Sequence, residues 1–170
     1  LLLNNMMQPI CSSAKKIMKA AVQLNFVSLL INLISRLDSS SSKTMENACN
    51  LLSRIASIPT YREMMSECIP ALLKIVQRRP NQLVVDSALS SLQNLAVQEN
   101  FASQIERNNG VEIILHVLLD CSSVEAGCGT LANLAAHSSL RRKITYGHNT
   151  LTILLKLIQS TQLSAWMQLK

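Results

Sequence analysis

ALSSLQNLAVQENF, residues 88–101, decides how this chain is read, because it returns 39 residues later as GCGTLANLAAHSSL, residues 127–140. An earlier copy, ACNLLSRIA, stands at 48–56. The final alanines of the three copies, Ala56, Ala96 and Ala135, are 40 and 39 residues apart. Leu52, Leu92 and Leu131 coincide, and so do Ile55, Leu95 and Leu134. Offsets of four and three place these side chains on one helical face. Small residues, Ala48, Ala88 and Gly127, open each copy. Five residues past each alanine stand Tyr61, Phe101 and Leu140; nine past stand Met65, Ile105 and Ile144.

A second apolar segment recurs at the same interval: FVSLLINLI (26–34), IPALLKIV (69–76), VEIILHVLL (111–119) and LTILLKLI (151–158). A period near forty with helical patterning is the mark of an α-solenoid. One such unit cannot cover its own apolar side, so neighbours must stack.

The composition agrees. Of 170 residues, 48% are hydrophobic and only 3% aromatic, so the core is aliphatic. That suits packed helices better than a sandwich, whose strands favour β-branched and aromatic residues. Five cysteines, Cys11, Cys49, Cys68, Cys121 and Cys128, form no CxxC and are odd in number. They read as free thiols in a reducing, intracellular setting. No signal peptide is visible, and no run reaches the roughly 18 apolar residues of a membrane span. The chain opens LLLNNMMQ without an initiator Met, which reads as a piece of a longer protein.

CIPALLKIVQ, a polar gap and then SALSSLQNLA resembles an armadillo repeat, in which a short first helix precedes two longer ones. HEAT-type repeats are the structural alternative. The likeness covers nearly the whole chain. It implies an all-α, right-handed solenoid of about four units, the terminal ones incomplete, in a single domain over 1–170. The units run at about 9–58, 59–98, 99–138 and 139–170. Pro59 and Pro70 fall at helix starts, where a missing N–H does no harm. Asn109-Gly110 breaks first helix from second. Unit four should stop inside its third helix, at SAWMQLK, with Trp166 in the register of Leu89 as core or capping packing. A weaker likeness is to large centriolar and basal-body scaffolds of the rotatin type, whose armadillo-like ends are degenerate.

In such proteins the third helices line a concave face. Counting back from each final alanine gives a polar row at spacings of four, hence on one helix face. It holds Glu46, Asn50 and Arg54 in the first copy, Asp86, Ser90 and Asn94 in the second, and Glu125, Gly129 and Asn133 in the third. The resemblance implies a groove for a peptide or helix of a protein partner. Asn side chains offer donors and acceptors to a peptide backbone, and the acids favour a basic ligand. The plain alternative is a solvated helix face, and for the whole segment a purely structural part of a larger helical scaffold that contacts only neighbouring repeats of its own chain. Importin-α-type carriers place Trp four residues before the ladder Asn; here Ser90 precedes Asn94 and Gly129 precedes Asn133. The aromatic walls that hold lysine stems are missing, which argues against such a carrier. With Arg54 as its single base, the row also lacks the basic stripe of β-catenin-type grooves. The open ends of the array, with Leu1, Leu2, Leu3, Met6 and Met7 at one and Trp166 and Leu169 at the other, are a second candidate surface.

The net charge of +6 comes from scattered bases and short clusters: Lys15, Lys16 and Lys19; Arg78 and Arg79; Arg141, Arg142 and Lys143. Nucleic-acid binding wants a continuous basic stripe and stacking aromatics, which one Trp, two Tyr and two Phe do not supply. These clusters cap helix ends or sit in water, or else bind an acidic surface. His116, His137 and His148 stand in three unrelated settings without a catalytic motif around any of them. His137 ends a helix, where the dipole favours it. Cys121, Cys128 and His137 match no standard metal spacing, and Cys49 and Cys128 share the core register of Leu89. The sequence therefore assigns no catalytic residue, metal or cofactor, no membrane, and no oligomeric state. The serine run at 39–42 reads as a solvated linker, or as a phosphorylation site beside the next helix start.

Overall fold

A computed structural model of the chain describes residues 26–36, 42–120, 123–147 and 149–168. Among these the structure is all-helical, with no strand. The helices are α1 (Phe26–Arg36), α2 (Ser42–Ala56), a 3-10 helix (Pro59–Met65), α3 (Cys68–Arg78), α4 (Gln82–Leu95), α5 (Glu99–Arg107), α6 (Gly110–Leu119), α7 (Val124–Ala136), α8 (Ser138–Tyr146) and α9 (Thr150–Gln168). The segments 1–25 and 37–41, with Lys15, Lys16, Lys19, Cys11 and the serine linker, lie outside the described residues, as do Cys121, His148 and Leu169.

Local chemistry sets the breaks. Between α3 and α4 the sequence is Arg-Pro-Asn. Arg79 adopts the left-handed conformation (φ 50°) and its N–H returns to Ile75 O, ending α3. Pro80 cannot continue a helix. The Asn81 side chain then accepts the Val84 N–H at 2.9 Å and starts α4, the usual service of an N-cap Asn. Between α5 and α6, Asn109 is left-handed (φ 58°). Gly110 follows so closely on α5 that a Cβ there would lie 2.6 Å from Ile105 O. Only glycine allows backbone to approach backbone that far. Asn149, 40 residues later, is left-handed in the same place before α9.

One expected break is absent. The last helix runs unbroken from Thr150 to Gln168, through the point where a second helix was to give way to a third. The joining residues, Gln159-Ser160-Thr161-Gln162, contain no Pro, Gly, Asn or Asp, so nothing there ends a helix. A second difference is that Pro59–Met65 is 3-10 rather than α. Pro59 and Pro70 do stand in the first turns of their helices.

Two rows of helices enclose the core. α2 packs on α4, and α4 on α7; behind them α1 packs on α3, α3 on α6, and α6 on α9. The rows meet where α3 lies on α4 and α6 on α7, while the 3-10 helix packs on α2, α5 on α3, α4, α6 and α7, and α8 on α7 and α9. The repeated ridge is interior throughout: Leu52, Leu92 and Leu131, and Ile55, Leu95 and Leu134, are all buried. So are Phe101 and Leu140, and Met65, Ile105 and Ile144; Tyr61 is half-buried. These residues belong to one continuous apolar cluster running from Val27 to Leu157.

Leu92 is fully buried in the C-terminal part of α4. Leu92→Asp would place a carboxylate in the apolar core, at a cost above about 4 kcal/mol. We expect circular dichroism to show loss of the cooperative thermal transition, while Ala132→Ser, on the exposed side of α7, melts as the parent does.

Candidate functional site

The polar row lies on α2, α4 and α7, as its spacing requires, but the structure gives most of it a task inside the protein. Asn94 Nδ2 donates to Ser53 O at 3.2 Å. Asn133 Nδ2 donates to Gln93 O at 2.8 Å. Ser53 and Gln93 are 40 residues apart, and Asn94 and Asn133 are 39 apart, so one bond is made twice in the same register. Asn50 Oδ1 accepts from Ser87 Oγ at 2.8 Å. All three Asn are half-buried. A helical carbonyl has a second lone pair, so it accepts such a bond without losing its own.

Hydroxyls repeat the pattern one turn deeper. Ser91 Oγ donates to Ser87 O at 2.9 Å and lies 3.4 Å from Cys49 O on α2. Thr130 Oγ1 donates to Ala126 O at 2.7 Å and lies 3.2 Å from Leu89 O on α4. Both residues are buried. Ser91 and Thr130 lie outside the polar row, yet the sequence carries a signal for them: a hydroxyl directly precedes the core leucine in both copies.

The remaining row members divide. Glu46 is half-buried and pairs with Lys43 Nζ at 2.9 Å. Asp86 is half-buried and accepts from Gln82 Nε2 at 3.2 Å; that same nitrogen donates to Ser123 Oγ at 2.8 Å, joining α4 to the start of α7. Arg54 and Glu125 are exposed, and Ser90 is half-buried. Gly129 lies beneath Gln93: a Cβ on it would stand 2.4 Å from Gln93 Nε2. Two apolar side chains flank the row on α4, Leu83 at its start and Val97 just past its end, each more than half exposed.

The same economy governs the helix ends and the basic residues. Arg62 Nε donates to Ala56 O at 2.7 Å at the end of α2, and Arg141 Nε to Ala135 O at 2.9 Å at the end of α7. Arg141 Nη2 adds a bond to Ala136 O at 2.9 Å. These carbonyls have no partner within their own helix, and cations suit that end of the dipole. In the copy between, Ala102 takes the arginine's position, and His137 Nε2 meets Ala96 O at 2.8 Å. His137 thus serves the end of α4 as well as closing its own helix. Lys143 pairs with Glu106, and Arg79 with Asp120. Arg142 is exposed.

Cys49 and Cys68 are buried, and burial pushes both thiols up to about 12, with Glu67 adding to the effect on Cys68. Cys128, expected in the core, is half-buried, and burial raises its thiol as well. His116 is exposed at the edge of an open cleft of about 560 Å³ between α6 and α9, with Asn149 and Lys156 opposite. Among the described residues no three His, Cys, Asp or Glu side chains are grouped to hold a metal ion. No described helix is long and apolar enough to cross a membrane. No protein-family model, curated protein or solved structure matches the chain.

The seam bonds carry a stability consequence that an open groove would not. Asn94→Ala with Asn133→Ala removes one bond from each of two interfaces, at about 1 kcal/mol apiece. Urea titration should show a lower midpoint with an unchanged slope; an unchanged midpoint would return these amides to the solvent side. The thiols give a separate check. Iodoacetamide labelling of native protein at pH 8, read by peptide mapping, should leave Cys49 and Cys68 unmodified until denaturant is added, since the thiolate is the nucleophile.

Proposed function

We propose that this chain is an armadillo-like α-solenoid segment that works as a non-enzymatic protein-interaction scaffold, with a partner peptide or helix lying across the α2–α4–α7 row. The observation that carries this reading is the seam itself. Asn94 on α4 and Asn133 on α7 each donate to the backbone of the preceding helix of the row, 41 and 40 residues earlier. A row held in register this way is a preformed surface, and preformed surfaces bind without an ordering cost.

The seam also narrows how a partner is held. The Asn94 and Asn133 amides that would pair with a peptide backbone are already donating within the protein. Recognition therefore falls to the side chains that remain at the surface: Glu125, the half-buried Asp86 and Glu46, and the apolar Leu83 and Val97. That set favours a basic and amphipathic segment. The basic clusters lend less support to an acidic-surface reading, because Arg79, Arg141 and Lys143 are engaged within the protein. A centriolar or basal-body setting rests on the rotatin-type likeness and is tested by imaging the tagged protein against a centriole marker.

Asp86→Lys with Glu125→Lys reverses two of the three acids of the row without touching the core. The variant should melt close to the parent. In parallel affinity captures from cell extract, proteins retained by the parent should be lost from the variant. Equal capture by both would move the binding surface away from this row.

A further inference from the structure

We draw no further inference here: the strongest candidate, the open cleft between α6 and α9 lined by Glu112, His116, Asn149, Thr152 and Lys156, sets an acid and a cation over the buried Leu115 and Ile153, and nothing in the structure shows which ligand would fill it.

Discussion

Polar side chains on one helix reaching the backbone of the helix some forty residues earlier are the constraint on which the rest depends. A ridge of leucines at helical spacing fits its neighbour almost equally well after a slip of one turn, since apolar contact has no direction. Hydrogen bonds do have direction. A slip between α4 and α7 would part Asn133 Nδ2 from Gln93 O, and a bond lost from a half-buried seam costs about 1 kcal/mol. The leucines supply the driving force; Asn94 and Asn133 select one register from the several that the leucines would accept.

The same polar bonds decide what is left for other molecules. An Nδ2 donor of both Asn94 and Asn133 is used at the seam, and Gln93 lies over Gly129 between α4 and α7. The face offered outward is thus plainer than its residue types suggest, with acids along it and single aliphatic side chains at its ends. The positive net charge is similarly misleading as a guide to partners. Arg62 and Arg141 close the carbonyl ends of α2 and α7, and Lys143 and Arg79 reach acids on neighbouring segments. Part of the charge that looks like a binding patch in one dimension is engaged within the protein in three.

Copies of the same segment differ in what surrounds them. The first, fifth and eighth places of the second apolar segment are dry on α3 and α6 and wet on α9, although all three helices are comparably apolar there. Burial in an array is set by neighbours rather than by the unit itself.

Helix content, the interval near forty and the identity of the core were legible in the sequence. Two one-dimensional periodicities, 3.6 and about forty, encode them directly, which is why Leu92 and Leu95 could be placed on one apolar face from spacing alone. The Asn109-Gly110 break was legible for a comparable reason, being a local backbone requirement. The direction of the polar side chains was not. An Asn at a helix seam and an Asn facing water are the same residue on the same flank of the same helix, and the carbonyl that separates them belongs to a residue about forty positions away. Whether Asn94 and Asn133 serve a partner or a neighbour, which end Arg141 and His137 close, and which copy of the leucine face stays uncovered were decided only when the helices came together.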